Sequence, residues 1–313
     1  MALLLTESDV RELLPIPDLI SAMELALAAF SGGDVRQPVR TAIQVGADRA
    51  FFGLMPAYVE RPAALGAKLV TVFEANAKKG LPTHLATILL LDPETGALLA
   101  VMDGRYITQV RTAAVSAVAV QRLARADGAV LAILGSGVQA RSHVEVLRHV
   151  RQFPETRAWS PTAEHLRRFA TESRVQPAAD AKEAVRDAGV VVIATSSAAP
   201  VIENDWVAPG TLVISLGAYR PDMREMDSAL VLRARVFVDS RAAAVVEAGD
   251  IVQNSKEISG ELGEVILGRV PGRTSEQDVV IFKSLGMAVE DVAAAHLVYD
   301  RARQLGKGTE IRV

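Results

Sequence analysis

The stretch Ala129-Val-Leu-Ala-Ile-Leu-Gly-Ser-Gly-Val-Gln-Ala140 constrains the fold more than any other part of the chain. Its first six residues are apolar and read as a buried parallel strand. They run directly into Gly135 and Gly137, and then into a helical pattern through Val144 and Leu147. A strand, a glycine turn and a helix in that order bring backbone N–H groups and a helix N-terminus up to a pyrophosphate. Gly135 permits the tight turn, Gly137 lets the backbone approach the phosphates, and Ala140 replaces the third glycine where helix meets strand. By itself a G-x-G-x-x-A is a weak signal, because many α/β domains carry glycine after a strand. The surrounding pattern supplies the context.

Beyond this core come a strand near 157–160, a helix at 163–172, a short strand near Val175 and a helix around 181–188. Val190-Val-Val-Ile-Ala194, Leu212-Val-Ile-Ser-Leu216 and Val236-Phe-Val-Asp239 follow as further buried strands. Residues 279–303 hold a last strand, a glycine turn at Ser284-Leu-Gly286 and a long closing helix. Such alternation builds a doubly wound parallel sheet. Upstream the pattern differs. Residues 1–34 read as helical, with Thr6 capping a first helix, Asp9 three positions on, and Pro17 opening an amphipathic helix that Gly32-Gly33 ends. From 38 to 103 the residues alternate as strands. Within that region 39–45 and 50–57 are joined as a hairpin by Gly46-Ala-Asp-Arg49, and Pro93-Glu-Thr-Gly96 is a turn. A long helix of small residues runs from Thr108 through Arg125. The expected class is α/β. A Rossmann-type doubly wound parallel sheet occupies 115–290, and 1–114 with 291–313 form a second, α+β domain, with the active site between them.

A chain of 313 residues can bury two sizeable cores. Half of it is apolar and only 4% aromatic, so Ala, Val and Leu must build them. The formal charge of −3, with acids and bases interspersed, offers no basic stripe for nucleic acid. With no cysteine, disulfides, thiolate chemistry and cysteine-bound zinc are excluded. His84, His143, His149, His165 and His296 lack metal-ligand spacing, so no metal is expected. No apolar run approaches the ~18 residues of a membrane span. The opening Met-Ala-Leu-Leu-Leu turns charged by Glu7, too early for a signal peptide. A soluble, cytoplasmic protein is expected.

Three cations stand in apolar company. Lys68 lies in Leu65-Gly-Ala-Lys-Leu-Val-Thr-Val-Phe73, where strand alternation puts it on one face with Val70 and Val72. Burying an ammonium without a partner costs several kcal/mol, so Lys68 either snorkels from a strand edge or its charge is used. Arg111 lies in Thr108-Gln-Val-Arg-Thr-Ala-Ala-Val-Ser-Ala-Val-Ala-Val120, with no other charge until Arg122. Its planar guanidinium suits bidentate capture of a carboxylate, or a buried ion pair with an acid elsewhere. Arg40, on the first strand of the same domain, is either a third member or a surface residue. Converging beside a nicotinamide, these cations would make an anion site for an α-amino or α-imino acid. His84 reads as an acid/base or a loop histidine, and Glu74 and Asp103 as strand ends.

A site for NAD usually places Asp or Glu about 20 residues beyond the glycines, on the ribose 2′-OH. Here Ser160 stands there, in Arg157-Ala-Trp-Ser-Pro-Thr162, with no carboxylate beside it. A 2′-phosphate is therefore not repelled, and Ser160, Thr162 and Arg167 or Arg168 would receive it. Pro161 takes the place where an arginine most often reaches that phosphate. The balance favours NADP over NAD.

Read together, these residues resemble the ornithine cyclodeaminase / mu-crystallin family over nearly the whole chain. The stretches that carry the likeness are Met55-Pro-Ala57, Lys68…Asn76…Gly80-Leu-Pro-Thr-His84, Asp92-Pro-Glu-Thr-Gly96 and Asp103-Gly104…Thr108-Gln-Val-Arg-Thr-Ala-Ala114. Gly135-Ser-Gly-Val-Gln-Ala140, Ala194-Thr-Ser-Ser197, Arg220-Pro-Asp-Met-Arg-Glu225, Gly249-Asp250, Glu261-Leu-Gly-Glu264 and Phe282-Lys-Ser-Leu-Gly-Met-Ala-Val-Glu-Asp291 continue it. The resemblance implies a homodimer paired through the N-terminal domains. It implies that Arg40, Lys68 and Arg111, with Met55 beside them, bind the substrate carboxylate, and that Lys68 also serves proton transfer. It implies a cofactor site lined by Thr83, Thr112, Gly135, Gly137, Val138, Gln139, Ser160, Thr162, Thr195, Ser196, Gly217 and Ser284, Leu285 and Gly286.

Two departures set the branch. Cyclodeaminases carry an acid after the strand matching Val213 to Leu216, where this chain has Gly217-Ala-Tyr219-Arg-Pro221, and a glutamate where it has Gly53. Both losses remove negative charge that an ornithine side-chain ammonium should want. The pattern resembles the mu-crystallin and ketimine reductase branch instead. The leading expectation is an NAD(P)-dependent reductase of a small cyclic imino acid, with the proton held by Lys68, Tyr219 or water. The alternatives are an ornithine cyclodeaminase, an alanine dehydrogenase-type oxidative deaminase, and a non-catalytic NADP-dependent ligand-binding protein.

Overall fold

A computed structural model describes residues 1–46 and 50–312. The chain divides into two compact units, Met1–Arg111 with Met287–Val313, and Thr112–Gly286.

The first unit opens with β1 (Ala2–Leu5), α1 (Glu7–Leu13) and α2 (Ile16–Gly32). The helical reading of 1–34 fails at its first residues, because Ala2–Leu5 is a strand. It pairs in parallel with Leu98–Asp103, so non-local partners override the weak local preference of a leucine run. The cap is as expected. Thr6 Oγ1 accepts from the Asp9 amide at 3.3 Å while Asp9 Oδ2 accepts from the Thr6 amide at 2.8 Å. Gly33 ends α2 at φ +95°, a left-handed cap that glycine adopts without a Cβ penalty. Then follow β2 (Val35–Arg36), β3 (Thr41–Val45), β4 (Ala50–Val59), β5 (Ala64–Val72), β6 (His84–Leu91) and β7 (Leu98–Asp103), and α3 (Arg105–Leu123). The β3–β4 pair forms antiparallel with Val45 opposite Ala50, while positions 47–49 of the expected turn lie outside the described residues.

In the second unit β8 (Val130–Leu134) leads through Gly135-Ser-Gly137 into α4 (Val138–Leu147). After it come β9 (Glu155–Trp159), α5 (Ala163–Ser173), β10 (Gln176–Pro177), α6 (Ala181–Val185), β11 (Val190–Ile193) and β12 (Leu212–Ser215). Then follow α7 (Ser228–Arg233), β13 (Arg235–Val238), α8 (Arg241–Glu247), α9 (Gly249–Val252), β14 (Gly260–Glu261), α10 (Leu262–Ile266) and β15 (Val280–Lys283). Among the described residues these eight strands form one parallel sheet in the order β10-β9-β8-β11-β12-β15-β13-β14. This is a Rossmann-type doubly wound sheet. Strand order reverses between β8 and β11, and such a switch point opens a ligand crevice at the carboxyl ends of the strands. The fully buried runs at 131–134, 190–193 and 212–214 match the aliphatic strands of a sheet covered on both faces.

The chain then returns to the first unit with α11 (Ala288–Leu305) and a C-terminal strand, Thr309–Ile311, that pairs with β1. Within that unit α11 packs on β4, β5 and β6 and on α2. Register sets which side chains share the covered face. Met55 stands opposite Lys68 and Lys68 opposite Ile88; in the next row Gly53 faces Val70 and Val70 faces Ala86. Gly66 lets the helix close down, since a Cβ there would overlap the Leu89 carbonyl at 2.6 Å and press on Val292 at 3.2 Å.

Gly135 is the glycine the turn demands most. It sits at φ +120°, and a Cβ would run into the Ala194 carbonyl where β11 ends. Gly135→Ala is therefore expected to cost roughly 2–4 kcal/mol through strain and overlap, read as a lower denaturation midpoint in guanidinium. Wild-type stability in that variant would remove the steric role given to this turn.

Candidate active site

The first unit holds a buried cluster of opposite charges. Lys68, at the centre of β5, is only 2% exposed, and Arg111, on the second turn of α3, is 4% exposed. Both are met by acids from the start of α11. Lys68 Nζ lies 2.6 Å from Asp291 Oδ2, Arg111 Nε donates to Asp291 Oδ1 at 3.0 Å, and Arg111 Nη1 donates to Glu290 Oε2 at 2.7 Å. Glu290 and Asp291 are themselves fully buried. A lone charge here would cost several kcal/mol, so the four groups are stable only as a set. The helix contributes as well, because acids in its first turn meet the positive end of the backbone dipole. Gln37 Oε1 accepts from the Val289 amide and satisfies one of the open donors of that turn.

Competition between burial and pairing decides each protonation state. For Lys68 burial wins over the pull of Asp291, and with Arg111 and Arg40 also repelling, its pKa drops to about 8. For Asp291 burial would raise the pKa, but Arg111 and Lys68 outweigh it and hold the carboxyl below its ordinary value. Arg40, half-buried just before β3, is thus close enough to act on Lys68. Burial and the cations Lys68 and Arg111 push His84 down to about 4, so it is neutral at pH 7. Asp103 works as a cap, accepting from the Tyr106 amide at 3.0 Å. Lys68 and Arg111 converge on Asp291, and the charge of Arg40 acts on Lys68. Beside them lies the small, apolar row of Gly53, Val70 and Ala86, with Gly104 packed against Ala86. Met55, buried and opposite Lys68, completes this surface.

Reading the sequence for lone charges singled out Lys68 and Arg111 but not the acids that balance them. Glu290 and Asp291 carry the same signal, a charged pair between Ala288-Val289 and Val292-Ala-Ala-Ala.

The second unit carries the expected cofactor residues. Gly137 is the N-cap of α4 with no side-chain cap, and a Cβ there would meet nothing within 4 Å. Space is therefore open beside Gly137 at a helix N-terminus, a place that fits a pyrophosphate. Ser160, at the end of β9, is buried and its Oγ accepts from Ser136 Oγ at 2.9 Å, with Thr162 exposed at the start of α5. Thr195 Oγ1 donates to Glu225 Oε1 at 2.5 Å and Gly217 N to Glu225 Oε2 at 2.7 Å; Ser196 is exposed. The amides of Leu285 and Gly286 both donate to Asp239 Oδ2 at 2.6 Å, and Ser284 is buried beside them. Thr112 accepts at its carbonyl from Ser116 Oγ. Tyr219 belongs to this unit and packs half-buried against its core, whereas Thr83 is exposed at the entry to β6 in the first unit. Among the described residues no cluster of His, Asp and Glu is arranged to hold a metal, and no single helix is long and apolar enough to cross a membrane.

A doubly wound parallel sheet with an uncapped glycine turn, and a separate α+β unit with a buried cationic site, define an NAD(P)-binding class of protein. The chain belongs to the ornithine cyclodeaminase/mu-crystallin family, which it matches over residues 1–306. It is 46% identical to the ketimine reductase mu-crystallin of Mus musculus over 287 residues, covering 90% of this chain and 91% of that protein. The fold superposes with a TM-score of 0.94 on Thermococcus litoralis Delta(1)-pyrroline-2-carboxylate reductase in complex with NADH and L-proline, at 35% identity over 99% of this chain and 100% of that one. An archaeal alanine dehydrogenase dimer with bound NAD gives the same TM-score of 0.94 at 31% identity, with 99% of each chain covered.

Removing the charge of Asp291 tests the cluster. Asp291→Asn leaves Lys68 and Arg111 short of a counter-ion and is expected to lower stability by about 3–5 kcal/mol in urea unfolding. Lys68 also leaves a signature in pH. Its folded pKa of about 8 lies below the ordinary 10.5, so across that window the unfolded chain keeps a proton that the folded one has released. Stability from this group therefore rises with pH between those values, and Lys68→Met should flatten that slope.

Proposed function

We propose that this protein is an NAD(P)-dependent reductase of small cyclic imino acids. The single observation that carries this reading is the Lys68–Asp291–Arg111 constellation, an ammonium and a guanidinium aligned by one carboxylate beside a small apolar surface. The likeness to a ketimine reductase and to a pyrroline-2-carboxylate reductase supports it. The substrate carboxylate pairs with Arg111 and Arg40, and the row Gly53, Val70 and Ala86 gives the ring a small apolar surface. Lys68 gives its proton to the imine nitrogen as hydride reaches the carbon, and Asp291 holds the ammonium in place. A nicotinamide dinucleotide supplies the hydride. Its pyrophosphate lies against Gly135, Gly137, Val138 and Gln139, and the absence of a carboxylate beside Ser160 favours NADP over NAD. Neutral His84 and half-buried Tyr219 are not needed for the proton.

The test is reduction of pyrroline-2-carboxylate and piperideine-2-carboxylate followed by nicotinamide absorbance with each cofactor, with ornithine and alanine as comparison substrates. A reductase consumes cofactor in step with imine. Proline formed from ornithine with only catalytic cofactor would instead establish a cyclodeaminase. Lys68→Met should lower kcat by about 10²–10⁴-fold without changing cofactor affinity, and Arg111→Met should chiefly raise the KM for the imine. In the wild type kcat/KM should fall as pH rises through about 8, because the protonated ammonium is the working form, and Lys68→Met should lose that inflection.

The protein acts as a homodimer in this reading. The face of the first unit's sheet opposite Lys68 exposes Ile43 (59%), Leu54 (38%) and Leu85 (47%), with Phe52 and Leu69 between them in register. Thr71 and Thr87 stand among them, and a largely apolar face of this kind is what a stable self-association buries. Leu54→Asp combined with Leu85→Asp should halve the mass seen by sedimentation velocity; an unchanged dimer would place the interface elsewhere.

A further inference from the structure

The carboxyl ends of β11, β12 and β15 enclose a second set of buried ionisable groups that the chemistry above does not use. Lys283, the last residue of β15, is fully buried. Its Nζ donates to Ser215 Oγ at 2.9 Å and to the Gly217 carbonyl, and lies 3.8 Å from Asp250 Oδ2. Glu225, also fully buried, receives Thr195 Oγ1 on one oxygen, and the Gly217 amide at 2.7 Å and Ser215 Oγ at 3.1 Å on the other. Asp250 Oδ1 in turn accepts from the amides of Glu225 and Met226 at 3.0 and 3.1 Å. The fit is close. A Cβ on Gly217 would overlap the Glu225 carboxylate and the Thr195 carbonyl, and one on Gly249 would overlap the Met223 carbonyl.

Stability does not account for this arrangement. One ammonium faces two carboxylates in a dry site, burial raises both acids and lowers the lysine, and apolar residues of similar volume often serve stability as well or better. What the cluster does supply is geometry. It fixes the Thr195 side chain after β11 and the Gly217 backbone after β12, two segments at the strand ends where a doubly wound sheet takes its ligand. The groups come from distant parts of the chain, and they add side-chain ties to the backbone bonds from Leu216 N to the Ile193 carbonyl, Val201 N to the Glu225 carbonyl and Gly249 N to the Ala218 carbonyl.

We infer that Glu225, Lys283 and Asp250 are positioning residues for the nicotinamide dinucleotide, acting through Thr195 and Gly217. This rests on the dinucleotide reading of the second unit given above. The effect belongs on cofactor affinity rather than on the imine. It is measured by titrating NADPH and NADH fluorescence against Glu225→Gln, Lys283→Met and Ser215→Ala, with melting temperature followed in parallel. Ser215→Ala removes only the hydroxyl bridging Lys283 to Glu225, and it decides the matter if the charge variants do not fold. Folded variants should bind the preferred cofactor about tenfold or more weakly, while the KM for the imine changes less than about twofold. Affinity within twofold of wild type in folded Ser215→Ala and Glu225→Gln would overturn the inference and leave the reductase reading standing. Failure of the wild type to bind either cofactor would overturn both.

Discussion

The first unit is organised by the need to neutralise two cations that its own fold buries. β5 must carry Lys68 inward because strand alternation fixes it on the face with Val70, and α3 carries Arg111 into the same apolar surroundings. Neither charge is tolerable alone. Glu290 and Asp291 at the head of α11 answer both, and their position in the first helical turn adds the backbone dipole to the balance. The registers of β4, β5 and β6 and the seating of α11 over Gly66 all serve to bring those four groups within hydrogen-bonding reach. Chemistry follows from the imbalance that remains. Burial keeps Lys68 near the point of losing its proton at ordinary pH.

Both units use charge in the same way, as a means of fixing atoms rather than of gaining stability. Asp291 fixes Lys68 and Arg111, and Glu225 with Lys283 and Asp250 fixes the segments at the ends of a parallel sheet. Asp239 does likewise for the Leu285 and Gly286 amides. In each case the partners lie far apart in sequence, so correct geometry depends on the whole unit being folded.

Local signals in the sequence were the ones that could be read. The Thr6–Asp9 capping box, the Gly33 cap and the strand–glycine–helix at Gly135 are determined by residues within a few positions of one another, and the structure shows all three. Lys68 and Arg111 stood out because a charge in an apolar run has few acceptable explanations. Glu290 and Asp291 met the same criterion but sit in a helix, where the face that is buried depends on partners that periodicity does not name. Ala2–Leu5 read as helix because its strand partners lie far along the chain, at 100–102 and 309–311. The insertion of β15 between β12 and β13 had no local mark at all, since strand order is settled by packing between distant elements.

The interrupted connectivity of the first unit has a bearing on biosynthesis. Residues 112–286 are continuous and can condense as soon as they leave the ribosome, whereas the unit begun by Met1–Arg111 is finished only by the segment from Met287 onward. Until that late segment emerges, Lys68 and Arg111 lack Glu290 and Asp291, and β5 lacks the helix that covers it. The nascent chain therefore exposes its unfinished front portion throughout translation of everything that follows. Chaperone dependence should concentrate in that interval, and a stalled or prematurely terminated product should yield a folded nucleotide-binding half trailing an unstructured leader.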